Sequence, residues 1–151
     1  MLRDRLSETL KTALKAKEAR TVSTVRLILA ALKDRDIAAR SKGNQDGIDE
    51  ADVLSLLQSM IKQRRDSIKL YEKGGRLELA QQEGEEIEVI ETFLPEQLSD
   101  EDLASAVSTA ITEVDATTLK DMGKTIAALK TKYAGQMDFS KASALVKTQL
   151  G

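Results

Sequence analysis

Chemistry in this 151-residue chain can rest only on carboxylates, lysines, arginines and hydroxyls, because it holds no histidine and no cysteine. Without imidazole or thiolate there is no zinc finger, no thiol nucleophile, no imidazole base and no ordinary ligand set for a transition metal. The densest chemistry-bearing group is acidic: Glu83, Glu85, Glu86, Glu88 and Glu91, continued by Asp100, Glu101 and Asp102. Paired carboxylates can hold Mg²⁺ or exchange protons. The same spacing is also that of a solvated helix face, and the last three acids read as the first turn of a helix, where the macrodipole favours them. No GxxxxGK[ST], GxGxxG or GxSxG segment is present. The four aromatic residues, Tyr71, Phe93, Tyr133 and Phe139, are too few for base-stacking platforms. No catalytic residue, metal site or cofactor is predicted.

The formal net charge of −2 conceals blocks of opposite sign. Residues 1–42 carry +6, 43–61 carry −4, 62–76 carry +4, and 77–102 carry −10 with no base at all. Residues 120–151 return to +4 through six lysines and two aspartates, while all nine arginines precede residue 77. A chain so divided is not a bulk nucleic-acid binder, and any phosphate must approach away from the acidic stretch.

The elements that must position these groups are helices. Ala, Leu, Lys, Glu and Gln are abundant, there is one proline, and no stretch alternates like a strand. Leu2, Leu6, Leu10, Ala13 and Leu14 line one face of a first helix; Val22, Val25, Leu29 and Leu32 line a second, with Thr21 as a cap between them. SKGNQDG (41–47) is a loop. Asp49 caps a third helix, Glu50 and Asp52 occupy its first turn, and Ile48 staples against Val53. That helix runs to Lys73 and Gly74-Gly75, about 37 Å at roughly 1.5 Å per residue. A fourth, from about Arg76 to Phe93, folds back and stops at Pro95. Beyond it three shorter helices start at Ser99, at Thr118 with Asp121, and at Asp138. The expectation is an all-α protein, an N-terminal helical bundle or long helical hairpin (1–94) followed by a compact three-helix C-terminal subdomain (95–151). The longest apolar run, Leu27 to Leu32, is far short of the roughly 18 residues of a membrane span, and the charged, amphipathic N-terminus points to a soluble, cytoplasmic protein.

Two positions call for an explanation. Arg64 lies within the apolar stripe of Leu54, Leu57, Ile61 and Ile68 and must find a partner. If the third and fourth helices pair about Gly74-Gly75, Arg64 stands opposite Glu85 with Glu83 within a turn, so a structural ion pair of Arg64 with Glu83 or a neighbouring Glu is expected, against contact with a ligand. Gly123 lies inside a helix whose inward stripe is Leu119, Met122, Ile126, Leu129 and Tyr133. Helical glycine costs about 1 kcal/mol relative to alanine, which close approach of another backbone would offset. Lys120, Gly123, Lys124, Ala127 and Thr131 form a small-residue face flanked by lysines, open either to a neighbouring helix or to a sugar-phosphate chain. Gly135 reads as a helix stop.

The segments Asp52-Val-Leu, KQRRDSI (62–68), Gly75-Arg76, EEIEVIETFLPEQLS (85–99), DMGK (121–124) and Val146-Lys147 resemble the YqeY family over nearly the whole chain. The resemblance implies an all-helical fold and a likeness to the C-terminal tail of GatB, a tRNA-dependent amidotransferase subunit whose tail recognises the tRNA body while its chemistry resides in a separate domain. It implies a tRNA-facing region at the DMGK helix, hence Lys120, Gly123, Lys124 and Lys130. Relatives often carry a basic residue just after the glycine of the following turn; this chain has Gly135-Gln136-Met137-Asp138. Carbon-nitrogen ligase activity with glutamine as amido donor is implied by family naming alone. The resulting expectation is a non-catalytic, translation-associated module that binds tRNA through shape and phosphate contacts. The alternative is a helical adaptor for a protein of the translation machinery, without RNA.

Overall fold

The computed structural model describes residues 1–151, which form seven α-helices and one short 3₁₀ turn. Helices α1 (Leu2–Ala16) and α2 (Ala19–Ser41) are joined by two residues. Lys17 takes a left-handed conformation (φ 59°) and donates its N–H to the carbonyl of Leu14, closing α1. The chain therefore turns earlier than a cap at Thr21 requires, and Thr21 lies within the first turn of α2. Over 23 residues, α2 is almost as long as the 24-residue α3 (Glu50–Lys73). The bundle is thus built on two long helices.

The inward face of α2 is Thr24, Val25, Ile28 and Leu32, rotated from the expected stripe, with Leu29 only half-buried. Apolar residues occur around most of this helix, so periodicity alone does not select its buried side. On α1, Leu2, Leu6 and Ala13 are buried while Leu14 stays 47% exposed.

Asp49 caps α3, its carboxylate accepting from the N–H of Asp52 at 2.9 Å. Gly74 ends α3, and Gly75, at φ +72°, turns the chain into α4 (Leu77–Glu91). α4 stops two residues before Phe93, which sits buried at the end of the helix. The core of this first unit, Met1–Leu94, brings Leu6, Val25, Ile28, Leu57 and Ile90 to essentially zero exposure, so all four helices contribute to it.

The second unit, Pro95–Gly151, holds α5 (Asp100–Glu113), the 3₁₀ turn Leu119–Asp121, α6 (Met122–Lys132) and α7 (Phe139–Leu150). Ser99 caps α5 through the N–H of Asp102, and Asp138 caps α7 through the N–H of Ser140. Val107, Leu129, Ala142 and Val146 are fully or almost fully buried, with Ala106 and Ala110 beside them; side chains this small let three short helices pack closely. The element expected to run from Leu119 to Tyr133 is divided. Its first turn is 3₁₀, at about 3.0 residues per turn, which shifts the phase of the helix that follows. Leu119 consequently points outward, 48% exposed, and Thr125 points inward at 0%, its hydroxyl donating to the carbonyl of Asp121 at 2.9 Å.

Candidate nucleic-acid interface

The start of α6 is organised by Asp121. Its Oδ2 accepts from the N–H groups of Thr117 and Thr118 at 2.9 and 3.2 Å, and these bonds to the charged form hold the carboxyl below its ordinary value. Its Oδ1 lies 3.5 Å from Nζ of Lys124. Gly123, Lys124, Ala127 and Thr131 lie exposed on α6, and Lys120 lies exposed in the 3₁₀ turn that precedes it. A Cβ added at Gly123 would meet nothing within 4 Å. The neighbouring-helix explanation of this glycine is thereby overturned: no other helix of its unit comes within 4 Å of that position.

Lys120 has no ion pair, whereas Lys124 is tethered to Asp121, and Lys130 lies 5.9 Å from the centroid of the Phe139 ring. Lys130 stands on the flank of the face rather than along its line, and its ammonium leans toward α7 by cation–π attraction. Lys132 is placed likewise over Tyr133, at 5.6 Å. The face thus offers one free lysine, one loosely held by a carboxylate, and a smooth strip of backbone between them.

The turn after α6 is structural. Gly135 adopts φ +75°, Met137 is buried, and the carbonyl of Gln136 accepts from the N–H of Leu98 at 2.8 Å. The side chain of Gln97 donates to the carbonyls of Gly135 and Pro95 at 2.6 and 2.9 Å. The LPEQLS segment therefore ties the entry of its unit to the α6–α7 turn. Nothing local in the sequence signals a bond between residues 38 positions apart.

In the first unit, Arg64 reaches across the α3–α4 hairpin. Its Nε lies 2.8 Å from Oε2 of Glu86 and 3.8 Å from Oε2 of Glu83, while Nη1 donates to the carbonyl of Met60. The nearer acid is Glu86, one residue beyond the position that hairpin counting selects. Glu85 instead pairs with Arg20 of α2 at 3.2 Å, and Arg20 also comes within 4.0 Å of Glu86. Glu83 is partly buried beside Glu86, and desolvation followed by that neighbouring charge raises its pKa. With Glu91 engaged by Arg65 at 3.4 Å, four acids of α4 are committed to arginines. No cluster of three or more acidic residues is arranged to hold a metal ion. Asp100 and Asp102 lie in the first turn of α5.

A second arginine site joins α1, α2 and the loop before α3. Arg3 forms a two-pronged pair with Asp36, at 2.7 and 2.9 Å, and donates to the carbonyl of Ile48; Asp36 in turn accepts from the N–H of Ile48. The Arg3 guanidinium, with that backbone bond, pulls the Asp36 carboxyl down to about 2. No helix of the structure is long and apolar enough to cross a membrane.

The sequence profile of the family described as Yqey-like protein matches residues 3–150. The protein of Lachancea thermotolerans named "Altered inheritance of mitochondria protein 41, mitochondrial" is 32% identical over 111 residues, 72% of this chain and 57% of its own length. The protein of that name from Vanderwaltozyma polyspora is 34% identical over 89 residues, 59% of this chain and 46% of its own. An uncharacterized protein of Schizosaccharomyces pombe is 30% identical over 87 residues, 58% and 67% respectively. The chain spans about half the length of these two mitochondria-named relatives. The profile runs through the Arg64 ion pair, the Gln97 tie and the Asp121–Lys124 turn alike, and the chain belongs to the YqeY-like family.

Proposed function

We propose that this chain is a non-catalytic, translation-associated module that binds the body of tRNA through the exposed face of α6. The observation that carries the reading is Gly123. It is an exposed helical glycine with no neighbour within 4 Å of its missing side chain, and it lies between Lys120 and Lys124. A sugar-phosphate chain can lie against bare backbone while lysines on either side meet its phosphates, a contact that positions without reading sequence. The fungal relatives carry a mitochondrial designation in their names; such a module suits any compartment that contains tRNA, cytoplasm or mitochondrion.

The test is filter binding of the full chain to bulk tRNA across a salt series. Two or three phosphate contacts make log affinity fall with log salt at a slope of roughly two to three. Lys120→Glu with Lys124→Glu is expected to abolish the complex. Absence of binding at low salt defeats the reading and leaves the helical adaptor, a module for a protein of the translation machinery without RNA.

A further inference from the structure

Most of the +6 block at the N-terminus remains unanswered within its own unit. Arg3 and Arg20 have carboxylate partners, and Arg5 donates to the carbonyl of Thr92. On α2, Arg26 and Lys33 form no hydrogen bond or ion pair, and Arg40 only lends its field to Asp36. These three cations stand seven residues apart, so they recur along one line of the helix about every 10.5 Å. Leu29 and Ile37 lie on that line between them, Ile37 being 49% exposed. The line borders a groove of about 340 Å³ between α1 and α2, with Arg3 and Ser7 on one wall and Leu29, Lys33, Ile37 and Arg40 on the other; its one acid, Asp36, is neutralised by Arg3. Leu14, half exposed, continues the face of α1 that bears Arg3 and Ser7.

A surface of separated cations with apolar residues between them does not suit a nucleic-acid strand. Phosphates follow one another at about 3.4 Å of axis per strand, far closer than these cations, and Leu29 and Ile37 give such a strand nothing. A helix does suit it, because side chains on one face of a helix recur with the same spacing as the cations. We propose that the α1–α2 groove binds an acidic amphipathic helix of a partner protein. The partner helix carries acids at i and i+7 that meet Lys33 and Arg40, an apolar residue midway between them that seats over Ile37, and a second apolar residue about two turns away that seats over Leu29. The apolar seat supplies affinity, and the exposed charges set register and encounter rate. A second copy of this chain does not meet the pattern: the one pair of acids seven apart on its helices, Glu78 and Glu85, has glutamines midway, and Glu85 is already engaged by Arg20. The site is independent of RNA binding by α6.

The experiment is a displayed library of helical peptides selected on the full chain and counter-selected on Lys33→Glu/Arg40→Glu. Both residues are exposed, so the variant should retain the parent's circular dichroism and melting temperature. Expected are enriched sequences with acids at i and i+7 around a leucine or isoleucine. As synthetic peptides they should bind the parent at least tenfold more tightly than the variant, shift the amide resonances of Leu29 and Ile37, and bind Lys124→Glu unchanged. The proposal is overturned if nothing is enriched on the parent over the variant. It is equally overturned if the resonance shifts fall only in the second unit, or if tRNA or self-association proves to occupy the α2 face.

Discussion

Arg64 of α3 and Glu86 of α4 meet at 2.8 Å with 14% and 12% of their side chains exposed, and they hold the long hairpin by a desolvated charge pair. Removing Arg64 leaves the largely buried Glu86 with only Arg20 at 4.0 Å, which places the loss at the lower end of the about 3–5 kcal/mol that breaking a buried pair costs. Arg64→Ala is therefore expected to lower the melting temperature by roughly 10 °C, at about 2–4 °C per kcal/mol for a chain of this size. The double replacement Arg64→Met/Glu86→Leu should recover most of that loss. Thermal unfolding followed by circular dichroism checks both, and an unchanged melting temperature for Arg64→Ala sinks the structural reading.

Glu83 gives the same hairpin a pH dependence. Its pKa in the fold lies above the ordinary 4.5, so between those values the folded state binds more protons than the unfolded chain. Its contribution to stability therefore rises as pH falls from neutral through that window. Asp36 has the opposite sign: held at about 2 against an ordinary 3.8, it stabilises the fold above pH 3.8 and ceases to as pH falls toward 2. Glu83→Gln should match or exceed the parent at pH 7 and lose that advantage as pH falls toward 4.5. Melting temperatures of both proteins at half-unit pH steps decide it, since a constant difference across the range contradicts the assignment to Glu83.

Gly47 and Asp36 define the second arginine site. Gly47 adopts φ +87°, and a Cβ there would stand 2.6 Å from Oδ1 of Asp36 and 3.0 Å from Nη2 of Arg3. Gly43 has a similar φ of +92° in open space. Gly43→Ala bears backbone strain alone, about 1 kcal/mol, whereas Gly47→Ala adds disruption of a charge-assisted pair and should cost about 3 kcal/mol. Urea denaturation of the two variants compares them directly; equal losses would show that the Arg3–Asp36 pair yields freely.

Thr24 is the buried polar group without a hydrogen-bond partner: its side chain is fully inside the bundle and Oγ1 meets none. A buried hydroxyl left unsatisfied carries a desolvation cost of about 1–3 kcal/mol. Thr24→Val keeps the shape and removes the cost, so a rise of about 1 kcal/mol in unfolding free energy is expected. A loss of stability in chemical denaturation would mean that the hydroxyl finds a partner in solution.

What the sequence disclosed follows from the range of the forces involved. The caps at Asp49, Ser99 and Asp138 and the turn at Gly74-Gly75 depend on neighbours within four residues and were readable as such. Arg64 announced itself because an arginine among apolar residues has few options. The choice of Glu86 over Glu83 or Glu85 did not, since a one-residue shift in a helical hairpin separates them. The facing of α2 and the outward turn of Leu119 were hidden for different reasons. α2 has apolar residues on several sides, and the 3₁₀ turn breaks the phase from which the α6 stripe was counted. In the candidate site, the lysines are visible from spacing, but the openness of Gly123 and the tether between Lys124 and Asp121 arise only from the folded geometry of the second unit.

Gly123→Ala separates the stability of α6 from its proposed use. Nothing stands within 4 Å of the added methyl, and alanine is the better helix former, so the free protein should gain up to about 1 kcal/mol, less if the first turn tolerates glycine well. If a phosphate backbone lies against that glycine, the same methyl intrudes on the contact. Affinity for tRNA should then fall about tenfold while the melting temperature rises, with the salt slope kept because both lysines remain. Calorimetric melting and filter binding on one preparation read the two effects together. A variant that melts higher and binds tRNA as tightly as the parent would assign Gly123 no part in recognition, and would shift the proposal to the lysines alone.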